Sequence, residues 1–385
     1  MEALMRNESR KWQFELLRII AMCMIIAMHY MTKGMKLPKL SEDLSIFNMF
    51  YWLLYAFCVV AVNTYVLISG YFLCSSEAGA DNCKITEGLT KSDGFNILKL
   101  LKLWLQVFIY SVFVPLVLGA FGIVGVRAFD LSVWQQIVFP LQYEHYWFAT
   151  SYILLYAISP LLVAAVRNLD KKILKKVIVV LIITFCGFKS INPYLIPWDR
   201  YGCDVLWFIC LFLLAGYIGK YGIKYFSSLN VSLIIYILFS ILTFLIATAS
   251  AFVVRSIGKL EYYMDMTYSY NYITVLIASV ALFYVFLKWN EAENVKNEGH
   301  GVTNKVDKII NFVAARTFGV YLLHDNLVIR NRWQTWLGID TVAGKPWQIF
   351  HLLLSVALVF AIGVIIDVIR RGIFEAFKRM GGKTL

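Results

Sequence analysis

Charged residues are scarce in this sequence. They make up 16% of its 385 residues, whereas hydrophobic residues make up 60%, and the mean hydropathy is +0.69. Soluble domains carry about 25% charged and about 45–50% apolar residues. The composition therefore excludes an ordinary soluble enzyme, a disordered protein and a secreted disulfide scaffold, and it predicts a protein that crosses a membrane several times.

Cysteine is also sparse. The seven cysteines are scattered singly, and four of them (Cys23, Cys58, Cys186 and Cys210) lie inside apolar stretches. Zinc sites and disulfide frameworks need cysteine or histidine at close, regular spacing. We therefore expect no metal site and no redox role. A glycine-rich phosphate loop and a GxSxG nucleophile elbow are missing from the sequence as well.

Basic residues exceed acidic ones by 36 to 24. They are spread over many short loops between apolar runs, which is typical of membrane topology signals, and we expect no nucleic-acid partner. With a cytoplasmic N-terminus, the segments on the cytoplasmic side hold 21 of the 36 and those on the other side hold 11. The positive-inside rule thus predicts that both termini are cytoplasmic. We expect a multi-pass protein of the plasma (inner) membrane.

Ten apolar segments approach the roughly 20 residues that a transmembrane helix needs. They are residues 13–31, 46–73, 96–124, 147–166, 174–190, 204–219, 230–254, 271–288, 310–330 and 347–369. The fifth and sixth are short, and the ninth is interrupted by Arg316, His324 and Asp325. We predict an all-α, polytopic membrane helix bundle of about ten transmembrane helices, forming one domain over residues 1–385. The first apolar run is expected to be a helix of the bundle, not a cleaved signal.

The first segment carries Glu15, Arg18 and His29, and ionisable residues inside a membrane indicate a functional site. Arg18 and His29 are eleven residues apart, which places them on one helix face about 16 Å apart along the axis. An arginine that snorkels to the inner headgroups and a histidine in the outer interface are the alternative interpretation. The shared face favours function, and histidine is the usual general base near neutral pH.

The third segment opens with NILKLLKLWLQ, which puts Lys99, Lys102 and Gln106 on one helix face. Together with Arg18, these lysines are at the right level to receive a phosphate-bearing ligand from the cytoplasm. Positive-inside anchoring is the alternative and explains most lysines at helix ends.

The fourth segment is preceded by Glu144 and His145 and begins at Trp147. An acid–imidazole pair at the outer mouth is suited to bind sugar hydroxyls or to relay a proton. An aromatic belt explains Trp147 without any function, and from these residues alone that interpretation is the stronger one.

The ninth segment holds Arg316 towards the cytoplasm and His324, Asp325 and Asn326 towards the other side. So many polar groups are tolerated in a membrane only if they face a protein interior or an aqueous cavity. A structural network between helices is the alternative. With the first segment, they predict a polar cavity on the outer side that is connected inward.

Read in order, these segments resemble the acyltransferase-3 family of integral-membrane acyltransferases, which modify bacterial glycans and related acceptors. The resemblance covers nearly the whole chain. It rests on LLRIIAMCMIIAMHY with its Arg-x10-His spacing, NTYVLISGYFL, the basic start of the third helix, HYWFATSYILLYAISPLL, FLLAGYIGK and TFGVYLLHDN. The family often has arginines where this chain has Lys99 and Lys102, and lysines bind phosphate without a bidentate fork.

The resemblance implies transfer of an acyl group, typically acetyl, from cytoplasmic acyl-CoA to a hydroxyl of a polysaccharide or lipid-linked sugar. His29 would be the general base or a transient acyl carrier, and no cofactor would be tightly bound. Arg18, Lys99 and Lys102 would hold the phosphates of the donor, and Arg18 and His324 would act in catalysis with His29. The remaining candidates would orient the acceptor or stabilise the oxyanion: Glu144, His145, Trp147, His324 and Asp325.

Two other classes of protein stay open from the residues alone. A secondary transporter of an anionic solute would use the same polar groups to bind its cargo, but the matching pair of Gly/Pro-broken helices typical of such transporters is not seen. A non-catalytic subunit or a sugar polymerase of envelope assembly also fits the composition.

Overall fold

The computed structural model describes residues 11–75, 97–126, 129–143, 145–191, 199–296 and 305–381. Glu144, the first ten residues and part of the polar connector after Lys288 lie outside these ranges. Every regular element of the described residues is helical, which confirms the predicted all-α class.

Seventeen α-helices follow one another along the described chain. Their bounds are α1 Trp12–His29, α2 Ile46–Cys58, α3 Ala61–Ser75, α4 Ile97–Ala120, α5 Leu131–Val138, α6 Trp147–Asn168, α7 Lys171–Ile182, α8 Phe188–Ile191, α9 Val205–Tyr221, α10 Leu229–Ile257, α11 Glu261–Met266, α12 Ile273–Lys296, α13 Lys305–Ala314, α14 Thr317–His324, α15 Trp333–Trp336, α16 Ile339–Val342 and α17 Gln348–Gly381. Two π-helical turns, Tyr30–Gly34 and Ile183–Gly187, continue α1 and α7.

Seven of the ten expected segments are helices long and apolar enough to cross a membrane. These spans are Trp12–Gly34, Ile46–Ser75, Ile97–Ala120, Trp147–Asn168, Leu229–Ile257, Ile273–Glu293 and Gln348–Ala376. Of the other three, the fifth changes to a π-helical turn after Ile182, the sixth is the 17-residue helix α9, and the ninth is broken between α13 and α14. The count of ten and the sides of the termini stay predictions.

Short polar side chains fix where several helices begin. Ser45, Asp130, Asp170, Asp204 and Ser228 each precede a helix, and each side chain accepts a hydrogen bond from a backbone N–H of the first turn. Such caps satisfy donors that have no partner within the helix. The helix boundaries on both sides of the bundle therefore follow from local sequence.

The spans α1, α2–α3 and α12 are mostly buried and form the centre of the bundle, whereas α4, α10 and α17 lie at its periphery. Leucine, isoleucine and phenylalanine side chains on the peripheral helices point outward, including Phe113, Leu238, Phe252, Leu358 and Ile365. An apolar outer surface over helices whose backbone groups bond internally is what a lipid environment requires.

The break in the ninth segment positions the polar groups. α13 ends at Ala314, and α14 runs only from Thr317 to His324 before the chain turns at Asp325 and Asn326. α14 packs against α17, α1 and α4. The approach to α17 is close, because a Cβ added at Gly319 would lie 2.5 Å from Asp367 Oδ1. The end of α14 is thereby held against α1 in the interior of the bundle.

Candidate active site

One stripe of α1 joins the two predicted residues Arg18 and His29. Met22 and Ile25 lie between them at helical spacing, and Arg18, Met22 and Ile25 are all at least nine-tenths buried. The helix is α-helical from Trp12 to His29, so the two polar residues are about 16 Å apart along its axis. The two residues lie on one face of α1, and the stripe from Arg18 to Ile25 is buried inside the protein.

A small cavity of about 40 Å³ lies at the His29 end of this stripe. Its wall is formed by residues from α1, α3, α6, α14 and the segment before α12. They are Met22, Ile25, His29, Val62, Tyr65, Trp147, Phe148, Tyr270, Phe318, Tyr321 and Asp325. Two ionisable groups, His29 and Asp325, thus face a mainly aromatic enclosure in which electrostatic interactions are stronger than in water.

Asp325 receives two groups from the end of α1. Its Oδ1 lies 2.6 Å from Lys33 Nζ and 4.0 Å from His29 Nδ1, and its side chain is 4% exposed. His29 Nδ1 is buried and has no hydrogen-bond partner among the described residues. Lys33 is close because the π-helical turn Tyr30–Gly34 extends α1 past His29, and such turns are frequent at functional sites.

His324 packs against His29, with ring centroids 5.1 Å apart. Its Nδ1–H donates to the carbonyl oxygen of Val320 at 2.7 Å. In the neutral ring, that bond leaves the lone pair on Nε2. Nε2 is buried and has no hydrogen-bond partner in the described part of the chain. The two imidazoles therefore present nitrogens that are available to a bound group.

The turn after His324 is fixed by a network from two other helices. Asn326 Nδ2 donates to Tyr110 O at 3.0 Å and to Tyr146 Oη at 2.8 Å. The backbone N–H of Leu327 donates to His145 Nε2 at 2.8 Å. His145 must then carry its proton on Nδ1, and its role here is to hold the turn that presents Asp325 to His29.

Burial keeps His145 neutral. It lowers the pKa of His145 to about 4, with a further contribution from the positive charge of Arg330. A protonated ring would place an Nε2–H against the N–H of Leu327, so the neutral ring is the form that this turn requires.

At the other end of the stripe, Arg18 forms a buried ion pair with Glu15 one turn before it. The hydroxyl of Tyr65 donates to the carbonyl oxygen of Arg18 at 2.6 Å. Arg18 is 4% exposed, so snorkelling to the headgroups is not its arrangement in this structure. The stripe therefore has a buried guanidinium at one end and an imidazole at the other. This separation is the main geometric feature of the candidate site.

A second polar cluster surrounds Asp367 of α17, which is fully buried. Its two carboxylate oxygens accept hydrogen bonds from Arg370 Nε at 2.9 Å and Arg371 Nε at 2.7 Å. Tyr110 Oη also donates to Asp367, at 3.0 Å. Because Tyr110 O accepts from Asn326, this one residue connects the cluster to the turn beside His29.

The predicted lysines lie near this second cluster. Gln106 Nε2 of α4 contacts Asp367 at a long distance of 3.4 Å. Lys102 and Lys99 precede Gln106 by one and two helical turns on the same face of α4, with Lys102 exposed and Lys99 partly buried. Arg370 and Arg371 follow the last predicted segment, residues 347–369, so sequence reasoning missed these two basic groups beside Asp367 on α17.

The structure therefore brings His29, Asp325 and Trp147 together at one cavity, and His324 packs behind the ring of His29. His145 lies one hydrogen bond away, whereas Arg18, Lys99 and Lys102 lie towards the other end of the bundle. Glu144 is outside the described residues. The residues that sequence reasoning missed are Lys33, which it counted as a loop charge, and Tyr146, Tyr270 and Tyr321, whose aromatic character alone indicates no site.

No metal-binding group of three or more His, Cys, Asp or Glu side chains occurs in the described ranges. A family model described as an acyltransferase domain matches residues 11–369 of the chain. None of the curated proteins and none of the solved structures matches it. The match extends over six of the seven spans, covers the seventh as far as Ile369, and includes every residue of the cavity.

Proposed function

Because this chain belongs to the acyltransferase-3 family of integral-membrane acyltransferases, we propose that it transfers an acetyl group from acetyl-CoA to a hydroxyl of a polysaccharide or lipid-linked sugar. The observation that carries the proposal is the arrangement of His29. Its imidazole lines an aromatic cavity, 4.0 Å from the carboxylate of Asp325 and on the same stripe of α1 as the buried Arg18.

His29 is the proposed general base. The hydroxyl oxygen of the acceptor attacks the thioester carbonyl carbon, a C–O bond forms and the C–S bond to coenzyme A breaks. His29 accepts the hydroxyl proton and passes it to the departing thiolate, so the products are an acetyl ester and free coenzyme A. In the covalent alternative, a His29 nitrogen takes the acetyl group first and the hydroxyl then attacks it.

Asp325 and His324 support that chemistry. A carboxylate near Nδ1 stabilises the imidazolium that forms when His29 takes a proton. Lys33 limits this effect, because it holds the same carboxylate oxygen at 2.6 Å. Nε2 of His324, which is unprotonated while Nδ1–H donates to Val320 O, is an acceptor that would hold and orient the hydroxyl of the acceptor.

The donor is proposed to enter from the Arg18 end. Its phosphates would bind Arg18, Lys99 and Lys102, and Arg370 and Arg371 add two guanidinium groups beside Gln106. The extended arm of coenzyme A has about the length of the Arg18–His29 stripe, so α1 would act as a ruler between phosphate and thioester. Coenzyme A would be a substrate here and not a resident cofactor.

The acceptor is proposed to reach His29 from the opposite end. With both termini cytoplasmic in the plasma membrane, that end faces away from the cytoplasm. Trp147 and Asp325 line the cavity, and His145 fixes the turn that carries Asp325. These residues, with Glu144, would orient the acceptor hydroxyl towards the thioester.

The test is transfer of labelled acetyl groups from acetyl-CoA by membranes that contain wild type, His29→Ala or His351→Gln at equal protein level, with the host's envelope glycans as acceptor. His351 is a suitable control because its Nδ1 bonds Tyr30 Oη and its Nε2 bonds Leu337 O, outside the cavity. Glycan label that is lost only in His29→Ala is expected. Full transfer by His29→Ala would refute the role of His29, and counterflow of a labelled anionic solute without transfer would favour a transporter.

A further inference from the structure

A second, larger cavity opens next to the His29 cavity. It has a volume of about 350 Å³, within the range of roughly 300–1,000 Å³ that is usual for small-molecule sites. We call it the aromatic vestibule and define it by Trp52, Tyr55, Tyr201, Tyr268 and Tyr270, with Lys39, Asp265 and Ser269 as its main polar groups. The family resemblance and the sequence motifs assign nothing to it.

Tyr270 connects the vestibule to the candidate active site. Its side chain lines both cavities, and its ring stacks on Trp147 with centroids 5.6 Å apart and an interplanar angle of 25°. Trp147 in turn lines the cavity of His29. One aromatic layer therefore separates the contents of the vestibule from the imidazole of His29.

The vestibule combines ring faces with hydrogen-bonding groups. Trp52, Tyr55 and Tyr268 contact one another, with the Trp52 and Tyr268 rings 4.8 Å apart. At the rim, Lys39 Nζ lies 3.0 Å from Asp265 Oδ2, which raises the pKa of Lys39 and keeps it protonated. Inside, Ser269 is 5% exposed and its hydroxyl has no hydrogen-bond partner among the described residues.

Buried polar contacts hold one wall of the vestibule in a strained conformation. Tyr201 has a φ of +61°, which is rare for a residue with a side chain. Lys189 Nζ lies 4.5 Å above its ring and pairs with buried Asp199 at 2.6 Å. The carbonyl oxygen of Tyr201 also accepts from the N–H of Tyr270 at 3.1 Å. Strain that is kept in this way is found mainly at functional sites.

We propose that the aromatic vestibule binds a sugar unit of the acceptor, next to the unit whose hydroxyl reaches His29. This inference rests on the proposed function for the direction of transfer, and on the geometry for the site itself. The C–H face of a pyranose ring packs on aromatic rings. Its hydroxyls are donors and acceptors at once, as are the Lys39–Asp265 pair and Ser269 Oγ.

A quaternary ammonium ion is the other ligand that aromatic cages bind. The charges of the rim do not select between the two ligands, because Lys39 is shared by Asp265 and Glu261. A quaternary ammonium ion, however, has no donor or acceptor for the unpartnered hydroxyl of Ser269. The sugar is therefore the occupant that uses every group of the vestibule.

The first experiment measures binding without catalysis. Oligosaccharides released from the host's envelope glycans are added to the full-length protein in lipid nanodiscs, and binding is followed by saturation-transfer NMR. Trp52→Leu, which keeps apolar bulk without a ring, is expected to weaken binding about tenfold, and Trp52→Phe is expected to retain most of it. The matched control is Trp104→Leu, since Trp104 is an exposed ring on peripheral α4.

Several outcomes would overturn the inference. They are no binding to wild type, equal binding by Trp52→Leu and wild type, or displacement of the oligosaccharides by tetramethylammonium. A Tyr268→Leu variant repeats the test if Trp52→Leu does not fold, because the two rings contact each other.

Kinetics then separate this inference from the proposed function. If the wild type transfers acetyl groups, Trp52→Leu is expected to raise the KM for the glycan about tenfold while the KM for acetyl-CoA changes less than about twofold. Ring-dependent glycan binding without any acetyl transfer would refute the proposed function and retain the vestibule. Acetyl transfer with a glycan KM that does not change in Trp52→Leu would refute the vestibule as a sugar site and retain the proposed function.

Discussion

Lys33 Nζ lies 2.6 Å from Asp325 Oδ1 in a site where Asp325 also faces His29. The lysine reaches this position because α1 continues as a π-helical turn beyond His29. The carboxylate is thus shared between the amino group of Lys33 and the imidazole of His29. How strongly Asp325 acts on His29 therefore depends on Lys33.

The shared carboxylate predicts coupled effects of two substitutions. Asp325→Asn removes the negative charge beside His29 and is expected to lower acetyl transfer by at least about tenfold, since less of the imidazolium is stabilised. Lys33→Met removes the amino group that pairs with Asp325, so the negative charge of this buried carboxylate has no nearby lysine to balance it. The double variant is expected to lose less activity than the product of the two single losses, which is measured as a double-mutant cycle on kcat/KM. Exactly multiplicative losses would mean that Lys33 and Asp325 act separately.

His145 predicts how stability depends on pH. Its pKa is lowered to about 4 in the folded protein, below the 6.5 of an unperturbed histidine. Between these values the unfolded chain binds the proton and the folded one does not. The free energy of unfolding is therefore not reduced by His145 above about pH 6.5. It falls as the pH drops from 6.5 towards 4, by about 3 kcal/mol at most.

The measurement is thermal unfolding in detergent from pH 7.5 to 4.5. His145→Gln keeps a polar side chain without a titratable ring, and the fall in melting temperature below pH 6.5 is expected to be smaller in this variant. An unchanged slope would assign the acid sensitivity to other groups.

Two glycines on the same side of the bundle predict opposite effects of an added methyl group. In Gly319→Ala the new Cβ would lie 2.5 Å from Asp367 Oδ1, within a closely packed contact of α14 and α17. The cost is expected to be about 1–3 kcal/mol of stability. Gly372→Ala, in α17, meets nothing within 4 Å and is expected to gain up to about 1 kcal/mol from helix propensity. If the melting temperature fell by the same amount in both variants, the close contact at Gly319 would be contradicted.

The general architecture could be predicted from the sequence because it depends on local properties. Composition and the length of apolar runs predict an all-α membrane bundle, and helical periodicity places Arg18 and His29 on one face. These features need no knowledge of which helices are neighbours. The ninth segment was predicted as one helix over 310–330 in spite of Arg316, His324 and Asp325, and that prediction was wrong, because the structure breaks it between α13 and α14.

The rest of the site depends on contacts between distant segments. Lys33 was missed because a regular helix was expected to end near residue 31, whereas the π-helical turn continues to Gly34. Asp367 was missed because its partner Tyr110 is 257 positions away. The vestibule combines Trp52, Tyr201 and Tyr268 from three loops or helices. One sequence carries no signal for such pairings.

The ion pair of Lys189 and Asp199 is predicted to be one of the more important polar contacts for stability. The two side chains are 4% and 2% exposed and 2.6 Å apart. Lys189→Met would leave a buried carboxylate whose remaining partners in the described ranges are Asn271 and Gly202, at an expected cost of about 3–5 kcal/mol. Lys288→Met removes an exposed pair with Glu291 and is expected to cost less than about 1 kcal/mol.

This last prediction also tests the wall of the vestibule. Removing both charges, in Lys189→Met with Asp199→Leu, is expected to recover most of the stability, because no unpaired charge stays buried. The double variant would still lack the Lys189 cation above the ring of Tyr201. The Lys189–Asp199 pair helps to maintain the positive φ of Tyr201. We expect a double variant that melts near the wild-type temperature but binds the released oligosaccharides more weakly. Wild-type binding by that variant would show that the vestibule does not need the strained Tyr201.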